Sequence, residues 1–250
     1  MNKYLKNLNK IEFVITNACT GKCKHCSEGE HLSNGEYISP NIAYDAVVKI
    51  CEKYNIKTVM AFGGEPLLYP DAVYSIMDAA TKMNVPKRQI ITNGYFSRDK
   101  AKIGEVTQGL FNHGINEVLL SVDAFHQETI PLEWVKIFAE ELIRNNVPTR
   151  FQLAWLVNRE DDNPYNNKTR EILQSLEYLN IPVGDGNIVF PQGNAIKYLG
   201  EYFIGDLPIN PYEEDPFDIK CVSFSPNGDV LDSNVLSEDI ISILDNYTPC

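Results

Sequence analysis

The sequence predicts an α/β fold in which a parallel sheet carries helices on its outer side. Short β-rich runs alternate with longer segments whose apolar residues repeat with helical period. Successive β-rich runs begin roughly 30 to 45 residues apart, which is the length of a βα unit with its loops. Six such units are too few for a closed eight-unit barrel. Two arrangements therefore stay open, a partial (β/α)6 barrel and a doubly wound sheet.

The individual elements follow from local signals. Ser39 and Pro40 suit the N-cap and first turn of the first long helix. Pro70 opens a second helix, and an apolar stripe over residues 132–143 marks a later one. The predicted strands are residues 11–16, 58–62, 89–92, 117–122, 150–155 and 187–190.

The pattern changes after residue 190. Residues 191–250 contain six prolines and short apolar runs without a long helical period. We expect residues 1–195 to form the barrel-like domain. Residues 196–250 are expected to form a small irregular C-terminal extension that packs over the open barrel as a lid.

Composition limits the class of protein. The formal net charge of −12 disfavours both nucleic acid and anionic membranes as partners, because each attracts basic surfaces. Three of the six cysteines fall within eight residues, and no signal peptide or membrane span is evident. Clustered cysteines without an export signal predict metal or redox chemistry in the cytoplasm.

The clustered cysteines are Cys19, Cys23 and Cys26, directly after the first predicted strand. Three thiolates at these spacings can hold an iron–sulfur cluster and leave one iron free for a substrate or cofactor. Two alternatives stay open. The cysteines could form a zinc site completed by His25 or His31, or they could simply lie in a loop.

The C-x3-C-x2-C spacing after the first strand of a (β/α) domain resembles the signature of the radical S-adenosylmethionine (SAM) superfamily. This resemblance implies a [4Fe–4S] cluster on Cys19, Cys23 and Cys26, whose open iron chelates the amino and carboxylate groups of SAM. It favours the partial (β/α)6 barrel with parallel strands over the doubly wound sheet.

The ends of the next strands extend the resemblance. Gly63-Gly64-Glu65-Pro66 is similar to the family's GGEP motif, which implies backbone and carboxylate contacts with the SAM amino group. Paired glycines allow close backbone approach to a ligand, and a carboxylate suits an ammonium group. The alternative for this motif is an ordinary turn at the end of a strand.

The third and fourth strand ends carry further candidates. Asn93 belongs to a TNG sequence that resembles the family's element near the cofactor, although Asn-Gly is also a common turn. Ser121 and Asp123 match positions that bind the SAM carboxylate and ribose in relatives. His126 is a candidate catalytic residue facing the substrate, or else a helix-start histidine bonded to backbone. Ligands of parallel βα folds bind where these strand ends meet.

The tail has its own resemblances. Residues 191–195, Pro-Gln-Gly-Asn-Ala, are similar to a Pro-x-Gly-Arg-Ala stretch of members with C-terminal cluster extensions, with Asn194 in place of arginine. The segment from Cys221 to Gly228 resembles the start of a SPASM or twitch extension. Ser233 stands where a second cysteine is usual, which leaves only Cys250. We therefore expect a degenerate extension without an auxiliary cluster.

The resemblance implies reductive cleavage of SAM to a 5′-deoxyadenosyl radical that abstracts hydrogen from a substrate. A peptide is the first candidate substrate, and a small metabolite or nucleotide is the second. An electron donor such as flavodoxin or ferredoxin is the implied redox partner. The alternative from another class is a non-catalytic Fe–S or zinc-binding module, although a carrier would need no SAM site.

Overall fold

The computed structural model describes residues 2–205, 207–208 and 210–249. Its strands are β1 (Lys10–Val14), β2 (Thr58–Phe62), β3 (Lys87–Thr92), β4 (Glu117–Ser121), β5 (Thr149–Gln152), β6 (Ala154–Trp155), β7 (Asn187–Ile188), β8 (Cys221–Phe224), β9 (Asp229–Val230) and β10 (Ser233–Asn234). The main sheet has six parallel strands in the order β5-β4-β3-β2-β1-β8. The predicted α/β fold with a partial, unclosed barrel is confirmed.

Helices occupy the connections between the strands. They are α1 (Pro40–Lys53), α2 (Pro70–Lys82), α3 (Lys100–Asn112), α4 (Ala124–Gln127), α5 (Leu132–Arg144), α6 (Pro164–Gln174), α7 (Asn194–Leu199) and α8 (Ile240–Asn246). Each long helix buries one apolar stripe; in α1 the stripe contains Ala43, Val47 and Ile50. The stripe predicted over residues 132–143 corresponds to α5, where Val135, Phe138 and Leu142 are buried.

The sixth strand of the main sheet is not the predicted one. Residues 187–190 were expected to extend this sheet, but β7 pairs instead with β6 in a separate parallel ladder. The predicted strand over residues 150–155 is correspondingly divided into β5 and β6. Gly186, at φ +80°, precedes β7, and a Cβ there would lie 2.7 Å from Nε1 of Trp155. This close approach lets the chain reach β6.

The C-terminal segment supplies the sixth strand. β8 pairs in parallel with β1, from the Lys10–Cys221 pair to the Phe13–Phe224 pair. The expectation that this segment forms only an irregular lid is therefore wrong for residues 221–224. Alternating burial of Val222 and Phe224 stabilises the strand, but four residues between proline-rich loops give a weak sequence signal. The domain boundary between residues 195 and 196 stays a prediction.

The described residues include no helix that is both long enough and apolar enough to cross a bilayer.

Candidate active site at the cysteine loop

A cavity of about 240 Å³ lies at the carboxyl ends of the parallel strands, where the loops after β1 to β4 meet. This is the position at which parallel βα folds bind ligands. Its lining brings together nearly all of the predicted site residues. They are Cys19, Cys23, Cys26, Gly63, Gly64, Asn93, Ser121, Asp123 and His126.

The cysteine loop is shaped so that its thiols face this cavity. The backbone N–H of Gly21 donates to Sγ of Cys19 at 3.3 Å. A Cβ at Gly21 would lie 3.3 Å from Sγ of Cys23 and 3.0 Å from Cδ1 of Ile130. A larger residue at position 21 would therefore crowd the Cys23 thiol. Three thiols on one short loop are a donor set that fits an iron–sulfur cluster.

Burial determines the protonation of these thiols in the absence of a metal. It raises the pKa of Cys19 to about 12, with the carboxylate of Glu65 adding to the effect. It also raises the pKa of Cys23 and Cys26. Bound iron reverses this preference, because positive charge stabilises the thiolates and metal binding releases their protons.

His31 lies beside the same loop. Its Nε2 is 3.1 Å from Sγ of Cys26, and its Nδ1 lies 2.7 Å from the carbonyl oxygen of Asn17. The Asn17 carbonyl can only accept, so Nδ1 donates to it and Nε2 is the ring nitrogen that faces the sulfur. Of the two histidines in the zinc alternative, His31 is thus the one close to a cysteine sulfur.

The Gly63-Gly64 turn packs directly against the chain that leads into the cysteine loop. Gly63 has φ +130°, and a Cβ there would lie 2.7 Å from the carbonyl oxygen of Thr16. A Cβ on Gly64 would lie 2.0 Å from the carbonyl oxygen of Ala18. The two glycines therefore allow the end of β2 to approach residues 16–18, as the close-approach interpretation of the motif expects.

Glu65 occupies a different place from its neighbours. It is fully buried and does not line the cavity. Its carboxylate accepts from Leu67 N at 3.0 Å, Thr92 Oγ1 at 2.7 Å and Asn93 N at 2.9 Å. Burial raises the pKa of Glu65 to about 7 despite these bonds. The carboxylate thus joins the ends of β2 and β3, whereas the predicted contact with the SAM amino group would need it exposed to the cavity.

Asn93 contacts the cysteine loop itself. Its Nδ2 lies 3.5 Å from Sγ of Cys19 and 3.2 Å from Oγ1 of Thr20. Its Oδ1 accepts from Tyr95 N at 2.8 Å. Asn93 therefore positions a predicted cluster ligand. Ser121, 8 % exposed, lies at the end of β4 on the cavity wall.

Asp123 and His126 form a hydrogen-bonded pair. Asp123 accepts from the backbone N–H of His126 and of Ala154, both at 3.0 Å. Nδ1 of His126 lies 2.9 Å from each carboxylate oxygen. Burial alone would raise the pKa of Asp123, but the charge and hydrogen bonds of His126 outweigh it and the pKa is lowered. This carboxylate is fully buried, so it holds the loop and the imidazole and has little surface left for a ribose.

The sequence indicated His25 only as a possible ligand of the zinc alternative, and the structure places the residue in the cavity wall. The ring packs on Phe125 and on His126, each at a centroid distance of 4.8 Å. Burial and the neighbouring His126 lower the pKa of His25 to about 4, so the ring is neutral. Its Nδ1 is buried without a hydrogen-bond partner in the described chain. No sequence signal separates this histidine from an ordinary loop residue.

His25, Asp123 and His126 also bring potential metal-ligand atoms within 4.8 Å of one another. The hydrogen bonds of Asp123 already account for this arrangement, since backbone and imidazole N–H groups use both of its oxygens. We therefore interpret Asp123 and His126 as a hydrogen-bonded pair in the cavity wall, with the ring of His25 packed against His126.

Comparison with known proteins identifies the family. The model of the Radical SAM superfamily matches residues 13–153, more than half of the chain. The chain belongs to the radical SAM superfamily. The match runs from β1 through β5, so it includes the cysteine loop and all of the strand ends described above.

Relatives and solved structures agree with this assignment. A GTP 3′,8-cyclase of Clostridium perfringens is 23% identical over 206 residues, covering 74% of this chain and 59% of that protein. A probable GTP 3′,8-cyclase of Methanocaldococcus jannaschii is 27% identical over 128 residues, covering 51% of this chain and 40% of that protein. The chain thus spans about half the length of these relatives.

Among solved structures, Streptococcus suis SuiB bound to S-adenosylmethionine superposes with a TM-score of 0.62 at 12% identity. That superposition covers 98% of this chain and 67% of SuiB. BtrN in complex with AdoMet and 2-DOIA superposes with a TM-score of 0.52 at 14% identity, covering 98% of this chain and 84% of BtrN. At these identities the likeness establishes a shared fold.

Proposed function

We propose that this chain is an enzyme that reductively cleaves SAM at a [4Fe–4S] cluster held by Cys19, Cys23 and Cys26. When bound, the reduced cluster would supply one electron that splits SAM into methionine and a 5′-deoxyadenosyl radical able to abstract a hydrogen atom from a substrate. The observation that carries the proposal is the convergence of these three thiols with the Gly63-Gly64 turn in one cavity.

The residues of the chain have distinct tasks in this proposal. The three cysteines bind the cluster, and Asn93 supports Cys19 through its Nδ2. The buried carboxylate of Glu65 joins the ends of β2 and β3 through its bonds to Thr92 and Asn93, and the Gly63-Gly64 backbone next to it borders the cavity. Residues 63–64 and Ser121 are then the groups placed to contact SAM, and the surrounding apolar wall excludes water from a reactive radical.

His126 is the side chain best placed to act on the substrate. Its Nδ1 donates to the buried carboxylate of Asp123, which fixes both the tautomer and the ring orientation. Its Nε2 has no hydrogen bond to any described residue, and the ring lines the cavity. The Nε2 atom can therefore bind a polar group of the substrate next to the carbon that loses hydrogen.

We propose a peptide as the substrate. Besides the cysteine loop, the cavity is lined by apolar side chains and by amides, including Phe190, Ile188, Gln152 and Asn187, and by Tyr212. Apolar walls with a few amide groups suit a peptide side chain and its backbone. The same fold occurs in Streptococcus suis SuiB bound to the precursor peptide SuiA, with a TM-score of 0.59 at 12% identity over 98% of this chain and 65% of SuiB.

A nucleotide is the second candidate, since the curated relatives that the chain matches include GTP 3′,8-cyclases. A triphosphate calls for arginine or lysine side chains to pair with its oxygens. The described residues that line this cavity include neither, and its charged groups are Glu28 and Asp123. The peptide is therefore the better match to the described part of the site.

The decisive experiment is anaerobic reconstitution with iron and sulfide, followed by reduction in the presence of SAM. We expect about four irons and four sulfides per chain and release of 5′-deoxyadenosine. Cys23→Ala should abolish that release. Cys51→Ala is the matched control, because Cys51 lies on α1 away from the cavity, and it should retain both iron and activity.

Three outcomes would contradict the proposal. A tightly bound single zinc ion would favour the zinc module, whose fourth ligand would be His31. A full cluster without any 5′-deoxyadenosine would favour a non-catalytic Fe–S protein. Release of 5′-deoxyadenosine that rises with GTP and not with peptides encoded beside the gene would move the substrate to the nucleotide class.

A further inference from the structure

A short segment from the far end of the barrel crosses directly over the cysteine loop. We call residues 191–195 the strap. Within it Asn194, only 6 % exposed, directs its backbone N–H and its side-chain amide nitrogen to the cysteine loop. Its backbone N–H donates to the carbonyl oxygen of Cys26 at 2.9 Å. Its Nδ2 lies 3.1 Å from the carbonyl oxygen of Cys23 and 3.1 Å from that of Gly29.

The three carbonyls held by Asn194 recur every third residue. Cys26 N donates to the Cys23 carbonyl and Gly29 N to the Cys26 carbonyl, both at 3.3 Å, so the loop makes two successive turns. These turns direct the carbonyls of residues 23, 26 and 29 to one side of the loop. Asn194 lies on that side and donates its backbone N–H and both side-chain hydrogens to them.

The residue before Asn194 makes this approach possible. Gly193 has φ +56°, and a Cβ there would lie 2.4 Å from the carbonyl oxygen of Ser27 and 2.5 Å from that of Cys26. Only glycine fits at this distance and with this φ. Close contact with the backbone of the cysteine loop therefore explains both residues, the glycine at position 193 and the amide side chain at position 194.

We propose that Asn194 is the positioning residue that fixes Cys23 and Cys26 at the spacing required by the cluster. This inference rests on the proposed function, in which these cysteines bind a cluster. A trans peptide points its N–H opposite to its C=O. By holding the carbonyls of residues 23 and 26, Asn194 sets both peptide planes and the Cα–Cβ directions of the two cysteines. Support of this kind outside the ligand shell tunes metal affinity.

Two substitutions test the inference in the reconstituted protein. Asn194→Ala removes the side-chain donors, and Asn194→Asp turns a carboxylate toward two carbonyl oxygens. Both should lose iron to a chelator faster than the wild type, by about 10- to 100-fold. The EPR signal of the reduced cluster, and its change when SAM is added, should also differ from those of the wild type. Gln192→Ala is the matched control, because Gln192 lies in the same strap and is exposed, and among the described residues its side chain bonds only Asn210.

A second measurement does not depend on the cluster. Hydrogen–deuterium exchange of the metal-free protein should show faster exchange over residues 22–31 in Asn194→Ala, by about tenfold, with β1 to β5 unchanged. This readout separates the two proposals. If the wild-type protein never bound iron, the proposed function would be wrong. The exchange data would still decide whether Asn194 holds the loop.

The inference would be overturned if residues 22–31 of Asn194→Ala exchanged hydrogen at the same rate as in the wild type. It would also be overturned if both Asn194 variants lost iron to the chelator at the wild-type rate and gave the wild-type EPR signals. An equal effect of Gln192→Ala would also overturn it, because the strap as a whole, and not Asn194, would then be responsible.

Discussion

The ring of Phe224, from the C-terminal strand β8, stacks on the ring of Phe13 in β1 at a centroid distance of 4.7 Å and an interplanar angle of 15°. Both rings are fully buried. The tail therefore shares the hydrophobic core of the strand that leads into the cysteine loop. β8 also pairs with one edge of β1, whose backbone N–H and C=O groups would otherwise be unpaired on that side.

Phe224→Ala should accordingly destabilise the whole barrel. We expect a loss of about 3–5 kcal/mol in the free energy of unfolding, because a large ring leaves a cavity in the core. Urea unfolding of the metal-free protein measures it. Phe217→Ala, at a residue 62 % exposed, is the control and should cost less than about 1 kcal/mol. Equal small losses in both variants would show that the tail is dispensable.

Gly64→Ala should damage the cysteine loop through the backbone. The new methyl group would meet the Ala18 carbonyl oxygen at 2.0 Å, so residues 16–18 must move. We expect iron content after reconstitution to fall well below half of the wild-type value. Gly200→Ala is the control, since nothing lies within 4 Å of a Cβ there. Wild-type iron content in Gly64→Ala would contradict the close packing of this turn.

Glu65→Gln should change how stability depends on pH. The pKa of Glu65 is raised from 4.5 to about 7 in the folded protein, chiefly by burial. Its contribution to stability is therefore fully present below pH 4.5 and is lost as pH rises through about 7. The variant lacks this titration, so the free-energy difference between wild type and variant should shift in favour of the variant across that range. Denaturant unfolding at several pH values measures the shift, and a constant difference between wild type and variant from about pH 4 to about pH 8 would contradict it.

Asp123→Asn should destabilise the loop after β4. The amide can accept through one oxygen only, while the site holds backbone N–H groups of His126 and Ala154 on different carboxylate oxygens. Leaving one buried donor unpaired costs about 1–3 kcal/mol, measurable by urea unfolding. His126→Gln keeps the backbone bonds and should cost less. The reverse order would indicate that the imidazole, not the carboxylate, holds the loop.

Cys221→Ala should leave the iron content unchanged at about four per chain. Cys221 lies on β8 opposite Lys10 of β1 and does not line the cavity. Cys250, the other cysteine considered for the tail, lies outside the described residues. Cys26→Ala provides the comparison and should lose most of the iron. A wild-type content of about eight irons that falls to four in Cys221→Ala would establish an auxiliary cluster.

The sequence could predict those parts of the molecule that rest on local signals. Period and spacing identified β1 to β4 and the helices between them, because each strand is a buried run bounded by turns. The strand ends then located the cavity, since parallel strands present their carboxyl ends at one edge. The spacing of Cys19, Cys23 and Cys26 was enough to single them out as candidate ligands of a metal or cluster.

The roles of several residues required tertiary contacts. Glu65 and Asp123 were candidates for contact with SAM, and their burial and hydrogen bonds, which join distant segments, make them supports of the cavity wall. The packing of His25 on Phe125 and His126 could not be predicted, because these two residues lie a hundred positions away in the chain.

The sequence by itself therefore determined the fold class, the three cysteines proposed as cluster ligands and the end of the barrel at which they lie. The tertiary structure decided that β8 completes the sheet and that Asn194 holds the cysteine loop. The physical reason is the same in both cases. A short strand and a single amide carry almost no local signal, and their stability comes from partners more than 150 residues away along the chain.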